Sequence, residues 1–145
     1  MTTSRASAVW EGKLKDGRGN YRATSGAFAA PYSFKTRFEG AAGSTPEELL
    51  AAAHAACYSM ALSADLEKAG TPATRIATDA ACTIEVVNGI PTISTMALQV
   101  KGTVPGIDAA AFHKAAEGTK ENCPVSRALK GNVRFTLEAT LQAGP

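Results

Sequence analysis

The chain has 145 residues, of which 45% are hydrophobic, and a formal net charge of +2 at pH 7. This length predicts a single domain over residues 1–145, and the small charge gives no reason to expect nucleic acid or an anionic membrane as a partner. The N-terminus has no apolar run typical of a signal peptide. Glu67 and Lys68 interrupt the longest apolar stretch, so we predict no membrane-spanning segment and a cytoplasmic protein.

The N-terminal region predicts three strands. Residues 6–14 are mostly extended, residues 19–25 return as a second strand, and the alternation over residues 32–38 indicates a third. Asp16 and Gly17 lie between the first two strands, and an Asp-Gly dipeptide in such a position favours a hairpin.

The clearest local signal predicts a helix from Pro46 to about Lys68. Thr45 is the expected N-cap, and Glu48 stands three residues later, as in a capping box. Gly70 favours termination of the helix. Leu and Ala surround the first half of the helix, which predicts a central helix buried on all faces. Its many alanines would allow another backbone to approach closely.

The C-terminal region predicts a long hairpin, two helices and a final strand. Extended segments at residues 75–87 and 91–104 are separated by an Asn-Gly dipeptide typical of two-residue hairpin turns. A helix capped by Asp108 should run to about residue 121, and a short helix should follow from Pro124 to about residue 130. Residues 133–141 alternate as a strand. This order indicates an α+β fold with antiparallel pairing, because hairpins join most strands.

Cys57 and Cys123 suggest a two-thiol redox centre. Cys57 lies deep in the apolar helix, where the alternative is a core cysteine that behaves as a small hydrophobe. It is about three turns from the helix N-terminus, so a cationic side chain would have to stabilise its thiolate. Cys123 precedes Pro124 near the start of the short helix, where free N–H groups favour a thiolate. The alternative for Cys123 is a turn cysteine without a role.

Other candidate residues have simpler explanations. Cys82 lies in a predicted strand and is expected to contribute packing only. An odd number of cysteines at irregular spacing is no disulfide framework, so all three are expected to be thiols. His54 and His113 lie on different helices without the spacing of metal ligands, and we predict no metal site. Glu47 is not used in the capping box, and its alternative is a first-turn acid stabilised by the helix dipole.

Several stretches around these residues resemble the OsmC/Ohr family, the osmotically inducible protein C and organic hydroperoxide resistance proteins. The resemblance covers essentially the whole chain, and the segments around the two cysteines are its most specific part. The matching stretches are residues 36–40, 45–49, 52–62, 104–108 and 122–126, and residues 10–12 are similar to the OsmC branch in particular.

The resemblance implies an OsmC-like fold, with antiparallel sheets wrapped around long central helices in an obligate intertwined homodimer. It implies a thiol peroxidase, an organic hydroperoxide reductase with Cys57 as the peroxidatic and Cys123 as the resolving cysteine. Glu47 matches the active-site glutamate of the family, and Arg37 matches the arginine of the OsmC branch. Because the Ohr branch takes its arginine from an earlier loop, Arg18 is the alternative.

These residue types fit a peroxidase cycle. A Cys57 thiolate would attack the distal peroxide oxygen, while Arg37 would stabilise the thiolate and the departing oxygen. Glu47 would orient the guanidinium through a bidentate contact. Cys123 would condense with the Cys57 sulfenic acid, and an external thiol or lipoyl-type dithiol would reduce the disulfide. No further cofactor is expected, and the apolar surroundings of Cys57 favour organic hydroperoxides.

Helix geometry predicts that two subunits share each site. Glu47 and Cys57 lie about 15 Å apart along the axis of one predicted helix and point in different directions. One straight helix cannot bring an arginine held by Glu47 onto its own Cys57, whereas two helices packed antiparallel about a two-fold axis near Ala52 can. The competing functions are a redox sensor that uses the same thiols and a small-ligand-binding dimer without turnover.

Overall fold

The computed structural model describes residues 1–144, which form two compact units. The first unit comprises Met1–Glu48, and the second begins at Leu49. Each unit contains one three-stranded sheet. The assignment of the whole chain to a single domain stays a prediction.

The sheet of the first unit consists of β1 (Ala6–Glu11), β2 (Arg18–Ala23) and β3 (Ala29–Tyr32), all antiparallel and in that spatial order. β1, β2 and the turn between them agree with the sequence prediction. Gly19 on β2 is paired with Trp10 on one side and with Tyr32 on the other. A Cβ at this position would collide with both rings, so glycine is needed for the strand to pass beneath them.

The predicted strand over residues 32–38 is wrong, because Phe34–Phe38 form a short helix, α1. A capping box explains the difference. The Thr36 N–H donates to Ser33 Oγ at 3.1 Å, and the Ser33 N–H donates to Thr36 Oγ1 at 3.0 Å. Such bonds give the backbone an alternative to a sheet ladder. Arg37 consequently lies on a helical turn.

The second helix, α2, spans Pro46–Lys68, with the start and the end that the sequence predicts. The Glu48 N–H donates to Thr45 Oγ1 at 3.0 Å. After the last turn Gly70 adopts a φ of +78°, the left-handed conformation in which many helices end. The N–H of the next residue returns to the Leu66 carbonyl at 2.9 Å and completes the termination.

The prediction that α2 is buried on all faces is wrong for the single chain. One face is covered, and from His54 onward its buried side chains recur every fourth residue, at His54, Tyr58, Leu62 and Leu66. The opposite face consists mainly of small residues and of Met60, which is 75% exposed. The Leu and Ala pattern indicates that every face of the helix can be buried, but one copy of the chain covers only one face.

α2 also contradicts the prediction that no segment is long and apolar enough to cross a membrane. The helix has 23 residues and contains an 18-residue window with a mean hydropathy of 1.3. Glu67 and Lys68 occupy its last two positions and do not interrupt the apolar part. By length and composition alone the helix satisfies the requirement for a spanning segment, as a core helix rich in Leu and Ala also does.

The sheet of the second unit has the order β4 (Arg75–Val87), β5 (Ile90–Thr103) and β6 (Arg134–Gln142). β4 and β5 form the predicted hairpin. Asn88 and Gly89 between them have φ values of 52° and 80°, as a two-residue turn with left-handed central residues requires.

Two helices separate β5 from β6 along the chain, α3 (Ala109–Asn122) and α4 (Pro124–Leu129). Asp108 caps α3 as predicted, with its Oδ1 accepting from the Ala111 N–H at 2.8 Å. Because the helical crossover brings the chain back to the starting end of β5, β6 pairs parallel to it. The expected antiparallel pairing is therefore wrong for β6 and confirmed for the other strand pairs.

The buried core of the second unit combines one face each of α2, β5 and α3. Tyr58 of α2 is fully buried and donates its hydroxyl proton to the Ala116 carbonyl of α3 at 2.7 Å. Other fully or nearly fully buried core side chains are Leu62, Leu66, Met96, Leu98, Val100, Phe112 and Cys123. One of the two cysteines of interest is thus part of this core.

Candidate active site

Cys57 and Cys123 lie together in the second unit, with their sulfur atoms 3.4 Å apart. α2 carries Cys57 beside the buried Tyr58, and Cys123 is the single residue between α3 and α4. Cys57 is partly exposed, whereas Cys123 is fully buried. The two cysteines that the sequence predicts as a pair are therefore in contact.

The sulfur–sulfur distance describes a pair of thiols. At 3.4 Å it fits an S–H···S hydrogen bond and exceeds the bond length of about 2.05 Å in a disulfide. Because the two sulfurs are in direct contact, one of them can attack the other once it is oxidised.

The surroundings of Cys57 act on its pKa in opposite directions. Burial raises the pKa of the Cys57 thiol, a hydrogen bond from the Val125 N–H lowers it, and the neighbouring Cys123 raises it, with a net shift upward. The sequence prediction concerned only the N-terminus of α2, which begins at Pro46, whereas Val125 lies in the first turn of a different helix, α4. A Cys57 thiolate at neutral pH still requires a positive charge from elsewhere.

Arg37 and Glu47 form a bidentate ion pair in the first unit. Arg37 Nη2 and Nε donate to Glu47 Oε1 at 2.6 and 2.9 Å, and Nε also lies 3.2 Å from Oε2. Glu47 is only 5% exposed. The guanidinium carbon lies 5.3 Å from the centre of the Phe38 ring. Glu47 is therefore more than a first-turn acid, since it fixes the orientation of a guanidinium.

Arg18, the alternative arginine, has different surroundings. It lies 3.7 Å from Glu11, and both side chains are largely exposed. Exposed pairs of this kind hold a side chain loosely. Of the two candidates, Arg37 is the one that a buried carboxylate orients.

A mostly apolar cavity of about 230 Å³ adjoins Arg37 in the first unit. Aromatic rings form most of its wall, and two of its large apolar side chains, Leu14 and Phe38, are substantially exposed. The cavity is lined by Trp10, Leu14, Tyr32, Ser33, Phe34, Arg37 and Phe38. It can hold an apolar group next to a guanidinium.

His54 and Ser126 form a buried contact in the second unit that the sequence analysis missed. His54 Nε2 lies 2.7 Å from Ser126 Oγ, and both side chains are buried. Burial lowers the pKa of His54, which favours the neutral ring. Spacing is the signal that was available, since His54 precedes Cys57 by three residues and Ser126 follows Cys123 by three.

Cys82 and His113 are the remaining candidates from the sequence. Cys82 is half-buried and packs against the core of the second unit, and His113 is exposed on α3. Within residues 1–144, no group of three or more His, Cys, Asp or Glu side chains is arranged to hold a metal ion.

The fold and the paired cysteines define an α+β protein with a dithiol that can be oxidised. The chain belongs to the OsmC-like protein family, whose model matches residues 39–138. Peroxiredoxin OsmC of Escherichia coli (strain K12) is 44% identical over 140 residues, which cover 96% of each chain. The resemblance to the family is therefore confirmed.

Solved structures show the same fold. An organic hydroperoxide resistance protein from Elizabethkingia anophelis has a TM-score of 0.77 at 22% identity and covers 98% of both chains. The organic hydroperoxide resistance protein OsmC from Legionella pneumophila has a TM-score of 0.78 at 20% identity, over 97% of this chain and 98% of its own. The predicted OsmC-like α+β fold is confirmed.

Proposed function

We propose that the chain is a thiol peroxidase that reduces organic hydroperoxides to alcohols. The observation that carries the proposal is the 3.4 Å separation of the Cys57 and Cys123 sulfurs. A protein that is 44% identical to this chain is named a peroxiredoxin, which supports the same chemistry. The roles of Cys57, Cys123, Arg37 and Glu47 are part of the proposal.

In the first step the Cys57 thiolate attacks the distal oxygen of the hydroperoxide. The O–O bond breaks, the sulfur is oxidised to a sulfenic acid, and the proximal oxygen leaves with the electron pair and is protonated to the alcohol. Cys57 is better suited to the attack than Cys123, because it is partly exposed and accepts the Val125 N–H.

In the second step Cys123 attacks the oxidised sulfur of Cys57. A disulfide forms, and the sulfenic hydroxyl leaves as water. An external thiol or lipoyl-type dithiol then reduces the disulfide by exchange and restores both thiols. The two electrons that reduce each hydroperoxide therefore come from this external reductant.

Arg37 supplies the positive charge in the proposed mechanism. The raised pKa of Cys57 means that its thiolate needs a cation, and the same guanidinium would stabilise charge on the departing oxygen. Glu47 holds the guanidinium through contacts of 2.6 and 2.9 Å, so its orientation does not have to be established during the reaction.

The proposed enzyme is a homodimer with shared active sites. α2 is one continuous helix over Pro46–Lys68, and positions 47 and 57 are about 15 Å apart along such a helix. When two copies of α2 pack antiparallel about a two-fold axis near Ala52, Glu47 of one subunit falls level with Cys57 of its partner. The small residues on the exposed face of α2 support such a close approach.

The proposed substrate class rests on the apolar character of the cavity beside Arg37. Its wall is mainly aromatic, with Leu14 and Phe38 open to solvent at its edge. A hydrocarbon substituent would lose contact with water there, and one buried methylene contributes about 0.8 kcal/mol. Hydrogen peroxide has no group that gains this free energy.

Three variants test the proposed function in an assay with cumene hydroperoxide and dihydrolipoamide. We expect Cys57→Ser to abolish peroxide consumption, and Cys123→Ser to react once and then accumulate sulfenic acid on Cys57, or sulfinic acid after a second hydroperoxide, as measured by mass spectrometry. Cys82→Ala is the matched control and should retain turnover. Stoichiometric consumption by the unchanged protein would instead indicate a redox sensor, and absence of oxidation would indicate a ligand-binding dimer.

A further inference from the structure

We propose that His54 and Ser126 are a positioning pair that holds Cys123 against Cys57 for disulfide formation. The proposal rests on the proposed function and concerns its second step, in which the sulfenic acid is resolved. The two residues act through the helices that carry them, not by contact with the peroxide.

The pair joins the two elements that carry the sulfurs. His54 lies one turn before Cys57 on α2, and Ser126 lies in the first turn of α4, which follows Cys123 directly. The contact of 2.7 Å between His54 Nε2 and Ser126 Oγ therefore ties α4 to α2 close to the place where the sulfurs meet at 3.4 Å.

Burial makes this contact difficult to replace. Both side chains are buried, and the His54 ring also lies edge-on to Phe135, with centroids 5.3 Å apart. Within the described residues His54 Nδ1 has no hydrogen-bond partner, so Ser126 provides the only hydrogen bond to the ring. A group that loses its partner in such surroundings has no water to replace it.

α4 needs an anchor of this kind. It has only six residues, and Cys123 at its start has a non-helical backbone and no side-chain capping bond. A helix of this length is not stable through its own hydrogen bonds. The first turn of α4 also carries the Val125 N–H that donates to Cys57. One buried contact thus orients both the resolving sulfur and the amide that serves the attacking sulfur.

If the pair were merely structural, its removal would lower stability and leave the relative rates of the two chemical steps unchanged. If it is a positioning pair, its removal slows disulfide formation more than the first oxidation. The variants are Ser126→Ala and His54→Leu, which remove the contact, and Ser126→Thr and His54→Gln, which keep a polar partner at nearly the same place. All are made with Cys82→Ala, so that only two thiols remain. Sulfenic acid and disulfide on Cys57 are quantified by quenched mass spectrometry after one equivalent of cumene hydroperoxide, and sulfinic acid is quantified after an excess, because it requires a second molecule of hydroperoxide.

We expect Ser126→Ala and His54→Leu to slow disulfide formation at least about tenfold, since a misplacement of about 1 Å can cost a reaction about a hundredfold. The first oxidation should slow much less, because the Val125 amide is only one of several influences on the pKa of Cys57 and burial is the largest. More Cys57 should reach sulfinic acid when hydroperoxide is in excess. Ser126→Thr and His54→Gln should restore most of the disulfide rate. The double variant Ser126→Ala, His54→Leu should be no slower than either single variant, because it leaves neither side of this contact as a buried polar group without a partner.

Equal slowing of both steps, an unchanged disulfide rate, or no rescue by Ser126→Thr and His54→Gln would overturn the proposal.

A second experiment replaces cumene hydroperoxide with diamide, which takes two electrons and two protons from the thiols and becomes the hydrazine. If the unchanged protein forms the disulfide with diamide and not with cumene hydroperoxide, the proposed function fails. The diamide rates of the variants then still show whether His54 and Ser126 position Cys123.

Discussion

The dithiol of the second unit and the ion pair of the first unit carry opposite halves of the proposed chemistry. Cys57 is the proposed nucleophile, and burial raises the pKa of its thiol. It therefore needs a nearby positive charge to become a thiolate. Arg37 is a cation that Glu47 holds in one orientation, but its own unit, Met1–Glu48, contains no cysteine. A peroxidatic thiol needs both, and neither region is a peroxidase site by itself.

The two regions also differ in how they are built. The sulfurs are positioned by a long helix and by a helix boundary whose cysteine belongs to the core. The guanidinium lies on a five-residue helix that a capping box starts, and the Arg37 side chain is 34% exposed. The nucleophile is therefore held by packing, and the charge is held mainly by one buried carboxylate.

Of the changes that test this difference between the two regions, removal of the Arg37 charge should have the largest effect on kcat/KM. We expect Arg37→Ala to lower kcat/KM for cumene hydroperoxide by about 10²- to 10³-fold, as the loss of one transition-state donor does elsewhere. Arg37→Lys should recover little, because an ammonium cannot reproduce the fork geometry. Arg18→Ala is the control and should stay near the unchanged rate. The reverse result, with Arg18 essential and Arg37 dispensable, would assign the role to the alternative arginine.

Mixed dimers test whether the two halves come from different subunits. Glu47→Ala and Cys57→Ser chains should each be nearly inactive. A heterodimer of the two has one site with both lesions and one site with neither, so about half of the activity per dimer should return. Two affinity tags allow purification of the mixed species. Inactive verified heterodimers, or an isolated monomer that turns over at full rate, would refute the shared site.

Substrate preference should depend on the apolar cavity beside Arg37. Cumene hydroperoxide should be favoured over hydrogen peroxide by at least about tenfold in kcat/KM, since each buried methylene contributes about 0.8 kcal/mol. Phe38→Ser should reduce this ratio, because it removes an apolar wall. Val86→Ser, at an exposed position of the second unit, is the matched control. A ratio that does not change in Phe38→Ser would exclude the cavity as the subsite.

The smallest expected effect is a shift in the pH dependence of Cys57. Its thiolate appears only as the pH rises through its raised pKa, and Cys123 contributes to that rise. In a Cys82→Ala background, the midpoint of Cys57 alkylation by iodoacetamide should therefore move to lower pH when Cys123 is replaced by Ser. A midpoint that stays in place or moves upward would show that Cys123 does not raise the pKa of its neighbour.

Local signals in the sequence predicted most of the elements. The caps at Thr45 and Asp108 and the turn at Asn88 have the structures that their side chains favour. The strand prediction for residues 32–38 was wrong because two hydrogen bonds between Ser33 and Thr36 start a helix and outweigh the alternating pattern. The predicted direction of β6 was wrong because it depends on where the helical crossover returns the chain. No short window of sequence contains this information.

The candidate site was predictable in its residues but not in its contacts. Cys57, Cys123, Arg37 and Glu47 were predicted with the help of a family resemblance, and the structure shows a contact between the two cysteines and an ion pair between Arg37 and Glu47. Their catalytic roles stay predictions. The Val125 amide and the His54–Ser126 contact were missed, because both depend on how α4 packs against α2. His54 and Ser126 are 72 positions apart along the chain.

The two sulfurs that lie 3.4 Å apart in space are 66 positions apart along the chain. A bond between them would close a loop that costs the unfolded chain about 4 kcal/mol of conformational freedom. Oxidised protein should then resist denaturant more strongly than reduced protein. By linkage, the folded state should hold the disulfide at a potential about 90 mV more negative than the unfolded chain does. In the proposed cycle, the reductant must therefore reduce a disulfide that the folded state stabilises relative to the unfolded chain.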